Sequence, residues 1–64
     1  MEPLTLREVQ VLELLVARRS YSEIGIELFV SRNTVKSHVS HIYTKLGVSG
    51  RARAAETARQ LGIL

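Results

Sequence analysis

The connection between the second and third predicted helices of this chain is only about three residues long, 29–31. The segment 21–28 before it and the segment 32–46 after it both carry apolar residues at helical spacing. So short a connection favours a sharp crossing of the two helices over a long parallel hairpin. The pattern therefore predicts a helix-turn-helix.

Capping residues mark where the predicted helices begin. Thr5 with Glu8, and Ser20 with Glu23, have the spacing of capping boxes, in which each side chain bonds the other residue's backbone N–H. No strand pattern competes anywhere in the sequence. The prediction is an all-α fold, a four-helix bundle that contains the helix-turn-helix, with helices at about 6–17, 21–28, 32–46 and 52–61.

Apolar spacing also predicts which side of each helix is buried. The third helix has the clearest stripe, and it lies between Ser31, an N-cap residue, and Gly47, which can end a helix in the left-handed conformation. In the second helix, Ile26 or Phe29 would support the stripe. The predicted core consists otherwise of Val9, Leu12, Leu15, Val16, Ile24, Leu28, Val35, Val39, Ile42, Leu46, Ala54, Ala58 and Leu61.

Charge is distributed unevenly along the 64 residues, although the net charge is only +3. Residues 1–28 carry three Arg against five Glu, whereas positions 28–55 contain five basic residues and no carboxylate. A cationic element beside a neutral-to-acidic scaffold is typical of a protein that approaches a polyanion from one side. The five basic residues are Arg32, Lys36, Lys45, Arg51 and Arg53.

Length and composition exclude several other classes. A chain of 64 residues without cysteine forms at most one domain and has no disulfide scaffold. No apolar run approaches the roughly 18–20 residues of a membrane span, and no signal peptide is visible, so a cytoplasmic protein is expected. The basic half has no paired carboxylates and no glycine-rich phosphate loop, so we expect no enzyme activity and no cofactor.

A metal site is a weaker interpretation of the two histidines. His38 and His41 are spaced i, i+3 and could chelate a metal in principle. His38, however, borders the apolar stripe of the third helix, which favours a packed, hydrogen-bonded side chain. No metal is therefore expected.

The side of the third helix opposite its stripe is polar throughout. Short side chains at its centre would let the helix backbone sit deep in the major groove of DNA, which is about 12 Å wide. Lys36 could reach a guanine edge or a phosphate, and Asn33 could reach an adenine or a phosphate. Ser37 and Ser40 could each contact a base edge or a phosphate. At the helix N-terminus, where free N–H groups favour phosphate, lie Ser31, Arg32 and Thr34.

These residues could also be simply solvent-exposed, because any solvated amphipathic helix has a polar outer side. The missing carboxylates, the short turn and the N-cap together favour DNA binding. Lys45 could contact phosphate or only offset the helix C-terminal dipole, and Arg51 and Arg53 could be solvated, cap carbonyls or touch DNA. Tyr21 and Tyr43 are interpreted as packing residues.

A different class of function is also open: the chain could be a protein-interaction module whose basic side docks an acidic surface of RNA polymerase or of a sensory domain.

The motifs resemble one known family over about residues 4–64. The chain carries LT-x-RE at 4–8, VL-x-LL at 11–15, EI at 23–24, S-x-x-TVK-x-HV at 31–39 and KLGV at 45–48, followed by Arg51. Together these blocks resemble the LuxR-type, or GerE-like, DNA-binding domain of bacterial transcription regulators.

The resemblance implies a single domain, 1–64, that is the C-terminal part of a larger regulator or a stand-alone module. It implies that the third helix enters the major groove, with Lys36, Ser37 and Ser40 at base-reading and phosphate-contacting positions. Ser22, with Ser31 and Thr34, matches positions that anchor the DNA backbone. The fourth helix is the family's usual dimerisation surface on inverted-repeat sites, and its candidate contacts here are Ala52, Ala55 and Arg59.

The chain departs from the family pattern at three places, and each departure leads to a structural prediction. Arg18 and Arg19 stand where the family tends to have Gly, which predicts a changed turn and an added phosphate contact. Gly25 replaces a common Ala and costs about 1 kcal/mol inside a helix, so a close helix contact is expected there as compensation. The fourth helix is rich in Ala, which predicts weak self-association of this chain alone.

Overall fold

The computed structural model describes residues 3–64, which form four α-helices. The predicted all-α fold with a helix-turn-helix is confirmed, and every predicted helix end lies within one residue of the observed one. None of the helices within 3–64 is long and apolar enough to cross a membrane. The helices are α1 (Leu6–Val16), α2 (Tyr21–Leu28), α3 (Arg32–Leu46) and α4 (Arg51–Gln60).

Both predicted capping boxes are present. The Thr5 hydroxyl accepts a hydrogen bond from the Glu8 N–H at 3.1 Å, and the Thr5 N–H donates to Glu8 Oε1 at 2.9 Å. Ser20 and Glu23 repeat the exchange at 3.1 and 2.7 Å. These reciprocal bonds satisfy backbone donors that a helix start leaves free, and they fix where α1 and α2 begin.

Left-handed residues end α2 and α3. Gly47 has a φ of 70°, and the next N–H, of Val48, bonds back to the Tyr43 carbonyl at 3.0 Å, as predicted for a glycine C-cap. At the end of α2 the same role falls to Phe29, with a φ of 60°. Arg18, in the turn after α1, also has a positive φ of 64°. The turn at Arg18 therefore has the backbone conformation that glycine adopts most easily.

Phe29 is expected to cost stability. Its side chain is 93% exposed and so adds little burial, while a left-handed backbone costs a residue with a Cβ about 1–2 kcal/mol. We expect Phe29→Gly to raise the free energy of unfolding by about 1 kcal/mol after the entropy cost of glycine is included. Urea unfolding measures the change, and a less stable variant would show that Phe29 makes contacts that its exposure conceals.

The core lies where α1 packs against α3 and α4 and where α2 packs against α3. The predicted stripe of α3 is confirmed, since all four of its residues are buried. In α1 the stripe is rotated from the prediction: Val11 is fully buried, while Val9 and Val16 are only half-buried. The buried apolar residues are Val11, Leu12, Leu15, Ile24, Val35, Val39, Ile42, Leu46, Ala54 and Ala58.

The prediction that Ile26 or Phe29 supports the core was wrong. Ile26 is 76% exposed, because α2 is covered on one side only, mainly by α3. Phe29 has left the helical path, and its left-handed backbone carries the side chain away from the stripe. Leu61, also predicted in the core, is about half-exposed at the C-cap of α4.

Gly25 has the close contact that its helix position predicts, although the partner is a turn rather than a helix. A Cβ built on Gly25 would lie 2.7 Å from the carbonyl oxygen of Val30. The turn backbone therefore lies directly on α2, and this close approach accommodates the connection of about three residues between α2 and α3.

A buried ion pair joins the start of α1 to the end of α3. Glu8 is almost completely buried, and its Oε1 accepts a hydrogen bond from Lys45 Nζ at 2.7 Å. Burial raises the pKa of Glu8, but the hydrogen bonds from Lys45 and Thr5 and the charge of Lys45 outweigh burial and leave the pKa below its usual value. The carboxylate is therefore charged in the folded protein at neutral pH.

Acid is expected to remove the contribution of Glu8 to stability. A folded-state pKa below the unfolded value means that the unfolded chain binds more protons, so this contribution is full above the unfolded pKa and decreases as pH falls through the folded one. We expect the free energy of unfolding to fall below about pH 4.5, and Glu8→Gln to flatten that fall. Urea unfolding between about pH 3 and pH 7 measures both; equal slopes in variant and wild type would contradict the assignment.

Candidate nucleic-acid interface

The outer side of α3 is open to solvent. Asn33, Lys36, Ser37 and Ser40 are all exposed, while the opposite side of the helix is buried. Within residues 3–64, none of these four side chains makes a hydrogen bond or an ion pair. The structure therefore brings the predicted base-reading residues together on one surface, with their polar groups available to a ligand.

The N-terminus of α3 is capped as predicted. The Ser31 hydroxyl accepts a hydrogen bond from the Thr34 N–H at 3.1 Å and lies 2.9 Å from the Thr34 hydroxyl. Both residues and Arg32 are exposed. The first turn of a helix has further N–H groups without intrahelical partners, and these favour an anion together with the helix dipole.

The carboxylates lie on other parts of the fold. The described Glu residues belong to α1, α2 and α4, and two of them pair with Lys45 and Arg19. The Arg19–Glu27 pair is 3.7 Å long and half-exposed, so it contributes little to stability. The separation of charge along the sequence thus becomes a spatial one, with no carboxylate on the exposed side of α3.

Lys45 does not join this surface. Its Nζ binds Glu8, and its side chain is only 18% exposed. The last turn of α3 lies against the start of α1, which brings Lys45 to the buried carboxylate of Glu8. Because the ammonium group is occupied there, we leave Lys45 out of the candidate interface.

Tyr21, interpreted from the sequence as a packing residue, and Arg51, whose role the sequence left open, lie beside Arg32. Tyr21, Arg32 and Arg51 are the first residues of α2, α3 and α4, and both guanidinium carbons lie 5.9 Å from the centroid of the Tyr21 ring. Burial raises the pKa of the neighbouring Tyr43, with Tyr21 adding to the increase and Arg51 opposing it. Sequence spacing gives no signal for this cluster, because its members are far apart along the chain.

The remaining predicted residues are placed as follows. Ser22 is exposed in the first turn of α2, next to Tyr21. Ala52 and Arg59 are exposed and Ala55 is half-buried, and all three line a shallow depression between α4 and the end of α1. His38 is half-buried and His41 is exposed, and residues 3–64 contain no group of three or more side chains that could hold a metal ion.

Comparison with known proteins shows which family the chain belongs to. The profile of the family described as bacterial regulatory proteins, luxR family, matches residues 2–63. The chain belongs to this family. As a luxR-family domain it binds DNA in transcription regulation, and the resemblance inferred from its motifs is confirmed.

Individual relatives agree with the luxR assignment. Spore germination protein GerE of Bacillus subtilis (strain 168) is 46% identical over 61 residues, which are 95% of this chain and 82% of GerE. A solved structure of the transcription factor GerE matches 100% of this chain and 96% of its own with a TM-score of 0.90 and 42% identity. The response regulator ChrA of a heme-sensing two-component system matches with a TM-score of 0.94 and 39% identity, but this chain covers only 32% of ChrA.

Proposed function

We propose that the chain binds double-stranded DNA sequence-specifically, with α3 in the major groove. The observation that carries this proposal is the exposed side of α3, where four polar side chains have no partner within residues 3–64 and no carboxylate repels phosphate. The centre of this side has short residues, Ser37 and Ser40, so a base edge can approach the helix closely.

The proposed contacts divide into two kinds. The first kind, to base edges or adjacent phosphates, supplies the sequence preference and comes from Lys36, Asn33, Ser37 and Ser40. Ser31, Arg32 and Thr34 at the start of α3, with Ser22 at the start of α2, hold the phosphate backbone and set the position of the helix. Phosphate contacts supply most of the affinity and make it dependent on salt.

Two copies of the chain would occupy an inverted-repeat site through α4, with contacts that include Ala52, Ala55 and Arg59. Arg18 and Arg59 line the same depression, and like charges facing each other across a two-fold axis oppose pairing. We therefore expect the isolated chain to be monomeric and the pair to form on DNA or within a larger cytoplasmic regulator. We propose that the chain has no enzyme activity.

Selection from a pool of random duplexes tests the proposal. We expect enriched half-sites whose spacing reports the geometry of the pair. With about four to six phosphates neutralised per copy, log K should fall against log salt with a slope of about −4 to −5. No enrichment and a slope near zero would contradict DNA binding. Capture of an acidic surface of RNA polymerase in that case would favour the protein-interaction alternative.

A further inference from the structure

Two arginines from different helices share one tyrosine ring. The guanidinium carbons of Arg32, in α3, and Arg51, in α4, both lie 5.9 Å from the centroid of the Tyr21 ring. A guanidinium within about 6 Å of an aromatic ring is attracted to its electron-rich face. Tyr21 therefore attracts two positive charges that come from different helices.

No carboxylate of residues 3–64 neutralises this pair. The ion pairs found there use Arg19 and Lys45, and neither Arg32 nor Arg51 takes part in one. Arg51 is half-buried, so its side chain is restricted by its neighbours as well as by the ring. Two guanidiniums at one ring, each with a fork of N–H donors and without a carboxylate partner among residues 3–64, are suited to binding phosphate.

We propose that Arg51 is a further DNA-backbone contact beside Arg32, and that Tyr21 is a positioning residue that orients both guanidiniums toward the same stretch of phosphates. This inference rests on the proposed function, because Arg32 starts the helix that the duplex would receive in its major groove. Arg51 extends that cationic surface from α3 to the start of α4. Since phosphate carries no sequence information, Arg51 adds affinity for every duplex alike.

Arg51→Gln and Arg53→Gln form a matched pair that tests the role of Arg51. Both remove one charge from the first turn of α4, but Arg53 is exposed and lies about 200° further round the helix. At fixed salt, we expect Arg51→Gln to weaken binding of the selected duplex about tenfold and to reduce the magnitude of the salt slope by about one. Arg53→Gln should change affinity less than about threefold and leave the slope unchanged.

Tyr21→Leu and Tyr21→Phe test the positioning role. Tyr21→Leu should weaken binding to selected and unselected duplexes by the same factor, about threefold to tenfold in Kd, with the base preference unchanged. Tyr21→Phe keeps the ring and should bind like the wild type. Equal binding by both variants would overturn the positioning role, and thermal unfolding of each variant checks that it is folded.

The outcomes distinguish failure of this inference from failure of the proposed DNA binding. If the wild-type chain binds no duplex, the proposed function fails, and the role of Arg51 fails with it. If the wild type binds and Arg51→Gln behaves like Arg53→Gln, only the phosphate contact of Arg51 is overturned.

Discussion

Lys45→Met is expected to lower the free energy of unfolding by about 3 kcal/mol, because it leaves the buried carboxylate of Glu8 without its partner. Glu8 and Lys45 join the start of α1 to the end of α3 through a 2.7 Å contact, and little of either side chain is exposed. A domain of this size has a total stability of only about 3–10 kcal/mol. Urea unfolding at neutral pH, followed by circular dichroism, measures the loss.

Two variants control for this result. Lys36→Met removes a lysine of the same helix from an exposed position, and we expect a change within about 0.5 kcal/mol. Adding Glu8→Leu to Lys45→Met removes the unpaired charge, and it should recover much of the lost stability because an apolar pair replaces an ionic one. A loss below about 0.5 kcal/mol in Lys45→Met would mean that solvent screens the pair.

Lys36→Ala is expected to weaken DNA binding by about 1–3 kcal/mol, or roughly 5- to 150-fold in Kd, without unfolding the domain. Lys36 is exposed at the flank of the polar side of α3 and has no ion-pair partner within residues 3–64. Its removal therefore costs contacts with DNA and no internal packing. Fluorescence anisotropy with the selected duplex at fixed salt measures the change, and thermal unfolding confirms that the fold is retained.

Arg7→Ala is the matched control for Lys36→Ala. Arg7 is an exposed cation on α1, so its removal changes the net charge equally but lies outside the candidate interface. We expect only a small loss from the reduced overall field. If both variants bind equally well, the position of Lys36 on α3 has no special role and the interface has been placed wrongly.

The sequence predicted the helices well because their ends are encoded locally. Thr5 with Glu8 and Ser20 with Glu23 are each three residues apart, and the hydrogen bonds that fix the helix starts form between them. The side of α3 that faces solvent followed from the helical spacing of its apolar residues alone. Information of this kind does not depend on the rest of the fold.

The contacts that the sequence did not predict join residues that are distant along the chain. Ile26 and Phe29 are apolar, yet both side chains are largely exposed, because none of the described helices packs over them. Lys45 lies in a basic segment and suggested a phosphate contact, whereas the packing of α3 on α1 brings it to Glu8. Tyr21 and Arg51 meet only because the starts of three helices converge. Local patterns contain none of these distances.

The most direct test of the account is titration of the 15N-labelled chain with the selected duplex, followed through its backbone amide signals. We expect the largest shifts at 31–40, with smaller ones at the starts of α2 and α4. The outward amides of α1, such as those of Gln10 and Glu13, should stay in place. Shifts confined to α1 and the end of α2, with α3 unmoved, would contradict it.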